Sequence, residues 1–420
     1  MGGGLLQLVA YGAQDAYISG NPQITFWKGL FKRHTNFAME PFRINFSGQP
    51  SWGTKQTAIV GRHADLLYST YVEVVLPYDG TNGNRYLWSS GGLGYKLIRH
   101  VELDIGGQII DRMYSEFMVL WASLTLSQDG RTKLDAMVNP PIQDDSECAA
   151  DGRKKLPNVL YIPLPFFFTR NPGAALPLIA LQYHEVKINV LWNDPQFFAG
   201  NFNTVSNCPP PVQAALYIDY IYLDTEERRR MAQASHEYLI EQTQFNEDKG
   251  IRGANNRIDL TFNHPVKELI WVVQPASYTD CKLAAKSQVT KLEPFTYDRA
   301  LVYEQWIQIN GQDRMDRRYG DYFSKVQPFQ HHTGVGYGGG GGLYCYSFAL
   351  RPEEHQPSGT CNFSRIDTAT IVMNMAGLGG VPPGIGPSDT DAGDWNVRVY
   401  AVNYNVLRVM SGMGGLAYSN

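Results

Sequence analysis

The sequence predicts an all-β protein of two tandem eight-stranded antiparallel jelly rolls, with short helices in the loops. Three observations carry this. Short segments rich in Tyr, Val and Ile alternate apolar with polar residues and end at Gly, Pro, Asn or Asp: LLYSTYVEVVLP (66–77), LIRHVELDIGG (97–107), YHEVKINVLW (183–192), LYIDYIYLD (216–224), KELIWVVQ (267–274) and VRVYAVNYNVLRV (397–409). Period-two alternation marks strands that bury one face. Composition agrees, with 12% aromatic residues, 41 Gly, 24 Pro and only 18% charged residues, a balance that favours strands and turns over helices. Finally, 420 residues exceed the roughly 250–300 that one core serves, and the chain repeats itself.

In chain order, MGGGLLQLVAYGAQ at the start has neither the basic beginning nor the long apolar core of a secretory signal. Residues 25–223 read as the first jelly roll. Within it YSEFMVLWASLTL (114–126) has helical periodicity, and an insertion near 118–158, polar and with paired prolines, reads as an exposed loop. Residues 224–236 read as a linker helix: Asp224 and Glu227 form a capping pair ahead of Arg228–Arg230. Residues 237–420 read as the second jelly roll, with a Gly-rich loop, HHTGVGYGGGGG, at 331–342.

The repeat supports the pair of rolls. DIGGQIIDRMYSEF (104–117) returns as QINGQDRMDRRYGDYF (308–323): Gly107 and Gln108 fall on Gly311 and Gln312, and Asp111, Arg112, Tyr114 and Glu116 fall on Asp316, Arg317, Tyr319 and Asp321. Residues 160–192 lie without gaps on 343–375, and Asp219, Tyr220 and Leu223 fall on Asn403, Tyr404 and Leu407. Trp306, Ile307 and Ile309, beside the repeated Gly-Gln turn, are expected to pack inward in the second barrel.

RPEEHQPSGTCNFSRID (351–367) gathers acids, a histidine, a serine and a cysteine. In the repeat, Glu353, Glu354, His355, Ser358 and Cys361 replace Arg170, Asn171, Pro172, Ala175 and Leu178. The Pro- and Gly-bearing bend persists and the chemistry does not, so this is read as a corner between strands whose side chains fix the loop. GVGYGG (334–339) leads into a strand, whereas a phosphate-binding loop leads into a helix. His331 and His332 read as solvated. Five scattered cysteines without C-x-x-C fit reduced thiols better than a disulfide framework or zinc. No catalytic residue, cofactor or metal ligand is expected. Asn45-Phe46-Ser47 and Asn362-Phe363-Ser364 are formal glycan acceptor sequences. No apolar run is long enough to span a membrane. A net charge of -4 without a basic run argues against direct nucleic-acid contact.

GGGLLQLVAYGAQDAYISGNPQITFWK, KRHTNFAMEPF, HVELDIGGQIIDRMYSEF, RNPGAALPLIALQYHEVKINV, SFALRPEEHQPSGTCNFSRID and YAVNYNVLRVMSGMGGLAYSN resemble the major capsid proteins of nucleocytoplasmic large DNA viruses, above all those of phycodnaviruses and mimivirus relatives. The resemblance implies a double jelly roll forming a homotrimeric, pseudo-hexagonal capsomer that tiles an icosahedral capsid. It implies neighbouring capsomers, minor capsid proteins and a pentameric vertex protein as partners, over an inner viral membrane that is not spanned. It also makes residues 1–24 an N-terminal arm at the capsomer base, where Leu5, Leu6, Leu8, Val9 and Tyr11 make assembly contacts, in a virion shell made and assembled in the host cytoplasm. The competing expectation is a trimeric jelly-roll carbohydrate-binding attachment protein.

Overall fold

The computed structural model describes residues 3–24, 26, 32–76, 92–139, 158–194, 211, 213–251, 255–275, 302–334, 342–375 and 395–418. Contacts divide the chain into two units, Met1–Phe37 and Ala38–Asn420. In the first, helices Gly3–Val9 and Asp15–Ser19 flank a turn in which Gly12 N–H donates to Asp15 Oδ2 at 2.7 Å.

The first set of strands is β1 (Phe37–Asn45), β2 (Lys55–Ile59), β3 (Leu66–Leu76), β4 (Ile98–Ile105), β5 (Gln108–Tyr114), β6 (Asn158–Pro163), β7 (Leu176–Pro177), β8 (Val186–Trp192) and β9 (Gln213–Leu223). The second is β10 (His236–Ile251), β11 (Asn255–Asp259), β12 (Pro265–Pro275), β13 (Val302–Ile309), β14 (Gln312–Asp313), β15 (Arg318–Tyr319), β16 (Leu343–Ser347), β17 (Cys361–Asn362), β18 (Ala369–Met375), β19 (Trp395–Met410) and β20 (Met413–Leu416). Four sheets result: β1-β9-β3-β6, β2-β8-β4-β5, β10-β19-β12-β16 and β11-β18-β13-β14, with β7, β15, β17 and β20 as short additions. Counting only the eight main strands of each set, both sets read 1-8-3-6 and 2-7-4-5. That is the jelly-roll order, twice.

Register shows how closely the copies agree. Ile98 faces Trp192 and Val302 faces Met375, each pair followed by a bulge. Ile105 faces Val186 and Ile309 faces Ala369. The β4 and β5 strands meet at Ile105 and Gln108, and β13 and β14 meet at Ile309 and Gln312. The turns between them, Gly106-Gly107 and Asn310-Gly311, have φ of 62° and 88°, and 50° and 78°. Positive φ at both central residues is what a two-residue hairpin requires, and it explains the repeated glycine. The ungapped alignment slips on β6, however. Leu160 and Ile162 enter the first roll's own core, whereas Leu343 and Cys345 point out of the second roll and Tyr344 points in.

Two expectations about the packing of strands and helices need correction. The start of the insertion is no exposed loop: helix Ser115–Thr125 buries Phe117, Met118, Leu120, Trp121 and Leu124, and helix Gln128–Val138 follows. Residues 140–157 lie outside the described residues. Ile307 and Ile309 do pack in the second core, but Trp306, though buried, sits on the opposite face of β13, under Arg317 at 4.6 Å and donating to Asp313 Oδ1 at 3.1 Å. Adjacent strand residues cannot share a face.

A methyl group tests the turn. Gly107→Ala meets no atom within 4 Å and costs only backbone strain, about 1 kcal/mol. Gly106→Ala adds a Cβ at 2.4 Å from the His184 ring, itself hydrogen-bonded to Gly414, so its urea midpoint should fall further than that of Gly107→Ala.

Candidate functional site: the seam between the jelly rolls

Within Ala38–Asn420, strands β12 and β19 of the second roll's sheet β10-β19-β12-β16 are buried on both faces. Along β12, Leu269, Trp271 and Val273 enter the second core, while Ile270 and Val272 join the first roll's cluster. On β19, Val397, Val399 and Ala401 face inward, and Tyr400 and Val402 face the first roll. The first roll meets this face with β5 and helix Ser115–Thr125. Tyr114 packs on Phe245 with ring centroids 4.5 Å apart, and Phe117 lies 5.6 Å from Tyr400.

Polar groups caught in the seam are paired, as burial demands. Glu116 accepts from Tyr400 Oη at 2.7 Å and pairs with Arg398 at 3.3 Å, while Arg398 also reaches Glu247 at 3.0 Å. Burial works against the Arg398 charge, but Glu116, Tyr400 and Glu247 raise its pKa above the ordinary value. Nearby, Glu241 holds both Lys267 (2.6 Å) and Arg170 (2.7 Å), and the Arg170 guanidinium lies 4.4 Å over the Trp121 ring. Burial lowers the Lys267 pKa, and Glu241 offsets part of that. Thr243 N–H donates to Asp111 Oδ1 at 3.0 Å, and burial pushes the Asp111 carboxyl up to about 6.

A second buried cluster lies beside the seam. His332 is not solvated, contrary to the sequence expectation: its side chain is fully buried, with Nε2 2.5 Å from Glu268 Oε1 and Nδ1 3.1 Å from Glu353 Oε1. The reason is tertiary. Gly334 N–H and Thr333 Oγ1 donate to the carbonyls of Leu124 and Thr125 at 2.7 and 2.9 Å, capping a helix of the other roll and drawing His332 inside. A Cβ on Gly334 would lie 2.4 Å from the carbonyl oxygens of Ser123 and Leu124, so only glycine fits. Burial disfavours the imidazolium, but Glu268, Cys345 and Glu353 carry its pKa up to about 12. Glu268, His332 and Cys345 bring one ligand-type atom each within 4.8 Å of one another. They lie on three separate segments, so no sequence spacing announced them.

The corner at 351–367 behaves as its turn chemistry suggested. Arg351 pairs with Glu354 at 3.0 Å, Arg351 N–H donates to Ser358 Oγ at 2.9 Å, and Glu353 turns away to His332 and Thr333. Asn45 and Asn362 are exposed, and Asn362 Oδ1 accepts from Ser364 N–H at 3.1 Å. Leu5, Leu6, Leu8, Val9 and Tyr11 are all exposed. Cys345 is buried and Cys361 half-buried, both as free thiols. Cys148, Cys208, Cys281 and residues 335–341 of the Gly-rich loop lie outside the described residues.

Two family profiles match the chain: "Major capsid protein N-terminus" over residues 25–224 and "Large eukaryotic DNA virus major capsid protein" over 227–415. Among curated proteins, the chain is 46% identical over 440 residues to the major capsid protein of Pyramimonas orientalis virus and 42% identical over 534 residues to that of Phaeocystis pouchetii virus, covering 100% of both chains in each case. Among solved structures, a chain of the PBCV-1 virus capsid superposes with a TM-score of 0.78 at 36% identity, covering 94% of this chain and 100% of that one. The Faustovirus major capsid protein shares the fold, with a TM-score of 0.68 at 11% identity over 95% and 94%.

Two substitutions probe the seam. Glu241→Ala leaves Lys267 and Arg170 without their shared counter-charge and should cost about 3–5 kcal/mol in urea unfolding. Asp111 is raised on folding, so its stabilising contribution is complete below its unfolded pKa of 3.8 and lost as pH rises through about 6. Asp111→Asn should therefore gain stability relative to wild type on going from pH 4 to pH 7, read as the difference in thermal midpoint.

Proposed function

The chain belongs to the family of large eukaryotic DNA virus major capsid proteins, and from that premise we propose that it tiles an icosahedral shell as a trimer whose six jelly rolls form a nearly hexagonal capsomer. Its relatives are structural proteins of the virion and not enzymes, and so is this chain.

One observation carries the trimer. The motif Asp111, Arg112, Tyr114, Glu116 works in the seam, where Asp111, Tyr114 and Glu116 touch the second roll. Its repeat, Asp316, Arg317, Tyr319 and Asp321, is exposed. On the surface that would receive it, Tyr161 is exposed and Tyr71 and Tyr217 are half-buried. On the first roll's sheet Tyr71 is paired with Tyr217 as Ile270 is with Tyr400. Tyr71 and Tyr217 stack 5.2 Å apart at 3°, and Tyr161 meets Tyr71 edge-on at 6.0 Å. Seating the second roll's Tyr319 edge on the Tyr71–Tyr217 face of the next copy repeats the internal seam between chains. Three such contacts close a ring of six similar rolls, so a threefold object presents six alike sides to its neighbours.

Residues 25–223 and 237–420 act as the two rolls, joined through 224–236. The apolar residues Leu5, Leu6, Leu8, Val9 and Tyr11 serve as contacts to neighbouring capsomers or minor capsid proteins, because exposed apolar side chains gain by burial. A pentameric vertex protein closes the shell, which stands over an inner membrane, and assembly takes place in the host cytoplasm. Asn45 and Asn362 are the glycan positions that exposure permits.

Light scattering and negative-stain images of the purified chain test this. Wild type should give compact, roughly hexagonal trimers that associate into sheets. Tyr217→Glu or Tyr319→Glu should weaken each interface by about 2 kcal/mol or more and yield monomers with an unchanged thermal midpoint, whereas Tyr114→Glu should lower that midpoint. Trimers persisting in both exposed-face variants would refute the contact, and discrete glycan-binding particles that never tile would favour an attachment protein.

A further inference from the structure

We propose that Glu268, His332 and Cys345 form a structural binding site for one zinc-like divalent cation, with Glu353 as the outer partner that orients the imidazole. The residues converge for reasons of register. Glu268 faces Ser347 and Ile270 faces Cys345 across β12 and β16, so Glu268 and Cys345 point from the same face of the sheet. His332 descends onto that face from the segment after helix Gln327–His331.

Three features select a metal over a simple hydrogen-bonded trio. Glu268 is fully buried, yet its Oε2 accepts no hydrogen bond from the described residues, an expensive state for a carboxylate. The three ligand-type atoms already lie within 4.8 Å of one another, and small side-chain shifts bring each to the roughly 2.0–2.3 Å of Zn–O, Zn–N and Zn–S bonds. Finally, the outer arrangement is complete: Nδ1 of His332 meets Glu353 Oε1, and Glu353 also accepts from Thr333 N–H at 2.9 Å and Thr333 Oγ1 at 2.7 Å. A carboxylate on the far nitrogen of a ligating histidine fixes its tautomer and strengthens it as a donor. Thiolate with imidazole and carboxylate suits zinc and not calcium or magnesium.

The exchange balances. The cation displaces the proton between His332 Nε2 and Glu268 and the Cys345 thiol proton, leaving neutral imidazole, one thiolate and one carboxylate around a dipositive ion. Bound there, it ties β12, β16 and the 332–334 segment that caps helix Ser115–Thr125, and so braces the seam.

The full-length protein, stripped with chelator and titrated with Zn²⁺ and separately with Co²⁺, provides the test. We expect one equivalent of either metal, a near-ultraviolet thiolate-to-cobalt band, and a thermal midpoint raised by Zn²⁺. Cys345→Ser should lose the band, and Glu353→Gln, which keeps all three ligands, should bind about 10–100-fold more weakly. Wild type that takes up no more metal than Cys345→Ser, or that shows no thiolate band, would overturn the site. Because the readout is metal binding by the folded chain, it stands or falls independently of trimer formation.

Discussion

A sheet covered on both faces is the constraint from which the rest of this molecule follows. In β10-β19-β12-β16, successive residues of β12 and β19 are buried in opposite directions, one set in the second roll's core and the other against the first roll. Over β12 and most of β19 no solvent face is left to carry polar groups. Charges on its outer side are therefore paired: Lys267 with Glu241 within the sheet, and Glu241 and Arg398 with Arg170 and Glu116 across the seam. Apolar contact joins the rolls without direction; the polar pairs fix one register between them.

Duplication then gives the molecule two copies of one hairpin in two environments. The first copy ends in Asp111, Tyr114 and Glu116, which the second roll covers. The second ends in Asp316, Tyr319 and Asp321, which this chain leaves open. A motif kept in both copies but meeting the other roll in only one is free to serve a second contact. The low charge content of the whole sequence, 18%, suits a protein that meets neighbours on many sides.

The histidine cluster shows how the seam reaches beyond its own contacts. Thr333 and Gly334 leave the second roll to cap a helix of the first, and the adjacent His332 is thereby pressed between Glu268 and Glu353. One backbone detour both locks the two rolls and creates a closed polar pocket.

The sequence by itself determined the fold class, the duplication and the hairpin turns. These depend on local rules: period-two alternation, and glycine where φ must be positive. It also marked the 351–367 corner correctly, because Pro, Ser and Gly bend a chain whatever surrounds them. What it could not resolve was which face of a strand meets what. Trp306 was expected inward and lies outward under Arg317, the β6 alignment slipped by one residue, and Met118 to Leu124, whose helical period was legible, were placed in an exposed insertion although their apolar face fills the first core. Only the tertiary structure decided that β12 and β19 are buried on both sides, and that Glu268, His332 and Cys345 meet. Both results come from one roll docking on another, an interaction between residues far apart in sequence whose pairing leaves no local period to read.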